Sequence, residues 1–343
     1  VPGRTTIVDV ARAAGVSKGA ASHALNGRRG VSEETRERVK AAAAALGWSP
    51  NGVARALSGA RAGAVGWAIL KSGKSASVDP YFTELFAGIE LELAQTDLAL
   101  VVKLVGDREE EELLYRRWAS ERRVDGVLLT EFDAGDRRLD LLRDLELPVA
   151  AMSNFVGGDP GRGAVPAVWQ DEGSAVGTLL DHAFAGGHRR IGWITGPGDK
   201  RAVLLREEAT LAWAARTGAI VTTVYTDYGP AQGAAAAKRL LSGDSAPTLL
   251  VFDNDRMALA GLSTCHELGL GVPRDLSVAS FVDSELCAIS VPPVTALRHD
   301  IVGFGRSLTR RLLDTLDGRD EPDVVLPALV LEARASIGPP SDR

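Results

Sequence analysis

Apolar residues are distributed in two textures along the chain. Near the start they recur three and four apart, as in Ile7, Val10, Ala11 and Ala14, which is one face of a helix. Gly15 ends that helix, because a tight turn between helices needs a residue tolerant of positive φ, and Val16 follows as a core residue in the turn. Ser17 is suited to cap a second helix over 18–25, whose Ala20, Ala21 and Ala24 permit close packing. Asn26-Gly27 stops it, and a third helix starts after Ser32 and runs through an alanine-rich stretch to Leu46, with Gly47 as its stop. Two short helices joined by a Gly-containing turn form a helix-turn-helix, with the second helix free to enter the major groove.

From Ala64 the apolar runs become strand-length and alternate with amphipathic stretches. Segments 64–70, 98–105, 124–130 and 148–152 read as buried strands, with helices near 81–96, 109–121 and 137–145 between them. The pattern repeats with strands at 191–195, 220–225, 248–253 and 276–282. Such alternation predicts an α/β fold of doubly wound parallel sheets with ligand sites at the C-terminal ends of the strands. Two successive sets predict two similar subdomains with a cleft between them.

Charge divides the same way. Residues 1–61 carry ten Lys/Arg against four Asp/Glu, a net +6, so the remainder carries −12 of the total −6. A small basic head on an acidic body concentrates phosphate attraction in one place, although charge alone fits an ordinary solvated surface equally well. Composition at 45% hydrophobic and 24% charged is that of a globular protein, no apolar run approaches a bilayer span, and no apolar signal core opens the chain. Cys265 and Cys287 have neither metal nor redox spacing and read as small buried groups in a reduced cytoplasm. No Gly-x-Ser-x-Gly elbow, zinc signature or paired-carboxylate motif stands out, so neither catalysis, metal nor cofactor is expected.

The run from Thr6 to Ser17 (TIVDVARAAGVS), the Ala24-Leu-Asn-Gly27 stop, the stretch VSEETRERV at 31–39 and LGWSPN at 46–51 together resemble the opening of the LacI/GalR family of bacterial transcriptional regulators. The body, with its two strand-helix sets, resembles the periplasmic-binding-protein-like effector domain of that family. The resemblance implies a helix-turn-helix DNA-binding domain over 1–49, a hinge helix and linker over 50–62, and an effector-binding and dimerisation domain over 63–343. Within the last, an N-subdomain is expected near 63–156 plus 292–320, and a C-subdomain near 157–291 plus 321–338. It implies a cytoplasmic, nucleoid-associated homodimer on double-stranded, near-palindromic operator DNA, answering to a small molecule such as a sugar or related polyol, with no membrane partner. The chain's end soon after Ile337, with no further leucine heptad, suggests that the tetramer-forming tail of some members is absent.

Residue roles follow from the same resemblance. Lys18, Gly19 and His23 occupy base-reading positions; the family often has Arg at the last, so His23 implies a different operator preference, and its alternative is a solvated helix residue. For Thr6, Ser17, Ser22 and Asn26, phosphate contact competes with capping. Asn51, Val53, Ala54, Arg55 and Leu57 lie in the hinge, where Leu57 takes the place of a minor-groove wedge. In the body, Asp79, Tyr81 and Phe82 match a loop facing the cleft, and Arg206 and Asp255 match ligand-holding positions. Asp171 sits where an Asp precedes a helix, and Trp169 is near enough to stack on a ring. Asp283 belongs to an aromatic-Asp-Asp motif in which Val282 replaces the first Asp. For each polar residue a capping or inter-subdomain role is the alternative, and for Trp169 it is core packing. A solute-binding protein or a sugar-processing enzyme with a DNA-binding head are the rival readings.

Overall fold

A computed structural model describes residues 5–25, 30–48, 61–70, 80–153, 166–243 and 245–341. The chain forms two units, Val1–Gly63 and Ala64–Arg343. The first holds α1 (Ile7–Ala13), α2 (Lys18–Leu25) and α3 (Glu33–Ala45). Each start has a visible cause. Asp9 Oδ2 accepts from both the backbone N and the hydroxyl of Thr6, at 3.0 and 2.7 Å. Ser17 Oγ accepts from Ala20 N at 3.1 Å, and Ser32 Oγ from Thr35 N at 3.3 Å. Gly15, at φ +66°, makes the turn between α1 and α2. The core is built from small side chains, Val10, Ala11, Ala14, Ala21, Ala24, Val39 and Ala43, and Arg38 Nε closes the end of α1 on Ala14 O at 3.1 Å.

The second unit contains two six-stranded sheets. The first comprises β1 (Ala64–Leu70), β2 (Ala99–Val105), β3 (Gly126–Leu129), β4 (Val149–Ser153), β5 (Ala167–Trp169) and β11 (Val324–Val325), in the order β11-β5-β4-β3-β1-β2. The second comprises β6 (Arg190–Thr195), β7 (Ile220–Tyr225), β8 (Leu249–Phe252), β9 (Ser277–Ser280), β10 (Thr295–Arg298) and β12 (Val330–Glu332), in the order β12-β10-β9-β8-β6-β7. The two windings are the same. All pairings are parallel except β10 with β12. Parallel sheets require cover on both faces, and the helices supply it. In the first half α4 (Pro80–Leu93) and α12 (Ile301–Leu316) cover one face, and α5 (Arg108–Ser120) and α6 (Arg138–Asp144) the other. In the second half α7 (Glu172–Ala185) and α8 (Arg201–Thr217) lie opposite α9 (Pro230–Leu241) and α10 (Asp255–Glu267). A short α11 (Glu285–Ile289) follows β9.

The subdomain boundaries differ from those expected. Residues 167–169 and 324–325 pair within the first sheet, and 295–298 within the second. The reason is local: β5 bonds along β4 and buries Val168 in the first core, while β10 buries Ala296 and Leu297 in the second half. These strands of two to four residues carry too little pattern to be seen in the sequence. The chain therefore passes between halves at Gln170–Asp171, His299–Asp300 and 326–329.

Two glycines set the closest helix contact. A Cβ on Gly88 of α4 would lie 2.1 Å from Val302 O, and one on Gly305 of α12 would lie 2.4 Å from Leu85 O. Both obstacles are backbone, which cannot rotate aside. Gly88→Ala is expected to destabilise the body by about 3 kcal/mol, the upper part of the usual overpacking range. Urea denaturation checks this, and an unchanged midpoint would mean the helices can separate without cost.

Candidate functional site

Helix α2 has two faces. Ala21 and Ala24 are buried against α1 and α3. Lys18, Gly19 and His23 are exposed and Ser22 is half-buried; at 3.6 residues per turn the four span an arc of about 140°. A Cβ on Gly19 would meet only Ser17 Oγ, at 3.9 Å, so packing does not require the glycine. The bare position leaves room for something outside the helix. Ser17 caps α2 through its hydroxyl, and Thr6, at the start of α1, donates its hydroxyl to Asp9, while both remain on the surface. Asn26, after α2, and Asn51, Val53, Ala54, Arg55 and Leu57, of the expected hinge, lie outside the described residues, as does Asp79 of the body.

A cavity of about 200 Å³ lies within the second unit at the C-terminal ends of the strands, where open α/β sheets bind ligands. Tyr81, Phe82 and Glu84 enter from α4, Glu131 and Phe132 follow β3, and Asp253, Asn254 and Asp255 follow β8. Val282, Asp283 and Ser284 follow β9. The passages between halves contribute Gln170 and His299, and the start of α7 contributes Glu172. Tyr81, Phe82, Arg206, Asp255 and Asp283 thus meet at one cavity. Trp169 and Asp171 do not line it. Asp171 caps α7, its Oδ1 accepting from Ser174 N at 3.0 Å and its Oδ2 from Ser174 Oγ at 2.5 Å. Their neighbours Gln170 and Glu172 face the cavity instead. The Asp-x-x-Ser spacing at 171–174 was the signal that could have separated cap from ligand residue.

Arg206 sits at the centre of a buried charge network. Its Nε donates to Glu172 at 2.8 Å, its Nη1 to Asp253 at 3.1 Å, and its Cζ lies 4.3 Å from the centroid of the Phe281 ring. Burial lowers the guanidinium pKa, but Glu172 and Asp253 more than offset this and hold it above its ordinary value. Asp253 also accepts from Trp193 Nε1 at 2.7 Å, Thr195 Oγ1 at 2.5 Å and Gly196 N at 3.3 Å. Arg206 is therefore a fixed part of the wall, with its donors already engaged by carboxylates. Asp283 is similarly engaged, bound at both oxygens by Arg334 at 2.7 Å. Asp255 receives Ser284 Oγ at 2.5 Å, and Asn254 caps α10 through Met257 N at 2.8 Å.

Glu131 and Tyr228 also line the cavity, and neither stood out in the sequence. Both adopt left-handed backbone, φ +55° and +62°, a conformation costing non-glycine residues on the order of 1–3 kcal/mol. The other two such residues among those described, Arg122 and Glu146, lie just past the ends of α5 and α6, where helix termination explains them. At Glu131 the geometry is held by Arg108 and Arg138, both donating to its carbonyl. Burial raises the Glu131 carboxyl, and the nearby Lys200, Arg108 and Arg138 only partly counter this.

One latch joins the halves beside the cavity. Ala134 N donates to Asp199 O and Arg201 N to Phe132 O, both at 2.9 Å. Asp133 receives Arg108 Nε and Lys200 Nζ, each at 2.6 Å. Burial alone would raise the Asp133 carboxyl, but those two cations hold it down at about 2. Among the described residues there is no group of three or more His, Cys, Asp or Glu that could hold a metal, and no helix is long and apolar enough to cross a membrane.

Residues 6–51 match the family of bacterial regulatory proteins, lacI family, and residues 180–337 match the periplasmic binding protein-like domain. The chain is 31% identical to the HTH-type transcriptional repressor PurR of Aliivibrio fischeri (strain MJ11), over 95% of this chain and 98% of that one. It is similar in structure to the lac repressor dimer bound to operator and the anti-inducer ONPF, with a TM-score of 0.83, 25% identity, and 97% of this chain and 99% of that one covered. The transcriptional regulator CelR in complex with cellobiose is also similar, with a TM-score of 0.72, 27% identity, and coverage of 97% of this chain and 100% of that one. With helix-turn-helix, paired sheets and cavity in place, the chain belongs to the lacI family of bacterial regulatory proteins and is a transcriptional repressor with a DNA-binding head and a ligand-binding body, not an enzyme.

Proposed function

We propose that this repressor binds a near-palindromic operator as a homodimer, and that a small polar molecule in the cavity sets how tightly it binds. The observation supporting this most strongly is that residues of the passages between the halves, Gln170 and His299, are themselves walls of the cavity, with Glu172 just after the first passage beside them. A ligand there touches the segments about which the halves would turn, so it has the differential contacts that allostery requires. Lys18 and His23 read base edges, Gly19 keeps the helix close to the groove, and Thr6, Ser17 and Ser22 face phosphate. A homodimer is supported by apolar surface: Ile289 is 73% and Val291 92% exposed, and edge strands β2 and β7 expose Val102, Leu104, Ile220 and Tyr225. Open edges with apolar side chains favour pairing with another chain.

Selection of bound duplexes from a random pool at fixed salt is expected to enrich one near-palindrome; recovery of no common sequence with or without added ligand would refute operator reading. On the selected duplex, Lys18→Ala and His23→Ala should each weaken binding by about 1–3 kcal/mol, roughly 5- to 150-fold, and relax the preference at one position of each half-site. A uniform loss across all sequences would assign these residues to phosphate instead. Sedimentation equilibrium of Val291→Asp is expected to shift the dimer towards monomer; a dimer as tight as the wild type would place the interface elsewhere.

The latch gives a pH prediction. A carboxyl held at about 2 in the folded protein against about 3.9 unfolded stabilises the fold fully above pH 4. That contribution drains away as the pH falls towards 2. Asp133→Asn should therefore cost about 2 kcal/mol at pH 7, with the gap to wild type closing below pH 4. Urea titrations at pH 7, 4 and 3 check it, and a pH-independent gap would show that the loss is steric.

A further inference from the structure

The latch beside the cavity joins the halves by backbone as well as by charge. Asp133, after β3, and Lys200, just before α8, face each other as an isolated antiparallel bridge. The bonds from Ala134 N to Asp199 O and from Arg201 N to Phe132 O, both 2.9 Å, flank that pair. This makes it a non-hydrogen-bonded pair, with Cα atoms about 4.5 Å apart. Phe132, Lys200 and Arg201 line the cavity and Asp133 does not. At this point the cavity wall is continuous across the halves only while the bridge is formed.

Neither side of the bridge is free to follow the other. Asp133 Oδ2 accepts from Arg108 Nε at 2.6 Å, and Arg108 Nη1 donates to the buried Glu111 at 2.6 Å. Glu111 also accepts from the buried Arg138 at 2.8 Å, and Arg138 donates to the Glu131 carbonyl at 2.8 Å. On the other side Lys200 leads into α8, where Arg206 grips Glu172 and Asp253. Distance from the passages decides what a turn of the halves does to the bridge. The passages leave the first sheet at β5 and β11 and the second at β10 and β12. Strand β3 lies two positions from β5, and β6, which leads to Lys200, three from β10. At about 4.8 Å per strand the bridge stands roughly 10–14 Å from the passages. A turn of about 15° over that arm parts its atoms by roughly 3 Å, and hydrogen bonds fail well short of that. The bridge is shut or broken, whatever other segments the halves share.

We propose that this latch is a two-state switch of the repressor, shut at the observed angle and broken when the halves turn, with Asp133 and Lys200 setting the balance between two arrangements that differ in affinity for operator DNA. Asp133, outside the cavity lining, is a positioning residue. The proposal rests on the reading of the cavity as the effector site for what throws the switch, so its test leaves every ligand out. A full chain carrying Asp133→Cys with Lys200→Cys is oxidised and compared with itself reduced, and with Lys200→Glu, which sets like charge against Asp133. A Cα separation of about 4.5 Å lies at the near end of the roughly 4.4–6.8 Å that disulfides span, so an intramolecular bond is expected to form. Fluorescence anisotropy on the duplex selected from the random pool then gives the operator affinity. Dissociation constants about tenfold or more apart are expected for the oxidised pair and Lys200→Glu, with the reduced pair displaced towards Lys200→Glu. Agreement of the oxidised and reduced pairs within about twofold overturns the proposal, as does failure of the bond to form in the folded chain. That comparison uses one polypeptide, so it stands even where Lys200→Glu does not fold. The effector reading fails separately, when a compound that shifts the wild type's operator affinity shifts that of the oxidised pair by the same factor. The difference between locked and opened chains survives that result.

Discussion

Three times the chain leaves one sheet for the other, and this triple passage governs everything else in the body. Two halves joined once would move freely; joined three times at one place, they can only turn about that place. The passages are tied to each other and to the halves. Gln170 Nε2 donates to Pro327 O at 2.5 Å, linking the first passage to the third, and Leu326 N donates to Trp169 O at 2.9 Å beside it. His299 ties the second passage to Phe281 of the second half. Each such bond contributes only about 0.5–1.5 kcal/mol net. Together they fix an axis, and the cavity lies against it.

The buried network of Arg206, Glu172 and Asp253 is better understood as a constraint on geometry than as a source of stability. Placing charges away from water costs several kcal/mol per ion, and their attraction often no more than offsets it. The network does fix direction. Glu172 begins α7 directly after the first passage, Asp253 follows β8, and Arg206 on α8 holds both. With Trp193 and Thr195 also bound to Asp253, the floor of the cavity is set by the second half alone. Movement is left to the other side, where a latch of two backbone bonds and the Asp133 ion pairs ties the described residues of the two halves. A rigid floor and a wall held by few bonds are what a small ligand needs if its differential affinity of a few kcal/mol is to shift a two-state equilibrium.

The sequence made the periodic parts of this architecture legible and the short parts illegible. Gly15, Ser17 and Ser32 punctuate the head, and the long apolar runs mark β1, β2, β6 and β7, because a turn or a buried strand leaves several residues of evidence. The strands β5, β10 and β11 are too short for that, and they decide which half a segment joins. At the cavity, Asp171 was indistinguishable in type from a ligand residue until its bonds to Ser174 showed it to be a cap. Glu131 and Tyr228 were invisible for a different reason. Their backbone is left-handed without glycine, so no residue type announces the turn, and the arginines that hold Glu131 come from α5 and α6, 23 and seven residues distant.

The alanine-rich head limits how recognition can work. Its core is made of small side chains, and under the proposed function α2 has only Lys18 and His23 as side chains to reach base edges. A good base contact discriminates by about 1–3 kcal/mol, so one head supplies roughly 2–6. Operator proteins need about 4–10 kcal/mol of preference over other DNA. One head therefore falls short of most of that range, whereas two heads on two half-sites cover it. Gly19 sharpens the point, since packing does not ask for it and a side chain there could have added a contact. A head this sparse is adequate only if it is used twice, so its composition is an argument for the two-fold symmetry proposed for protein and operator.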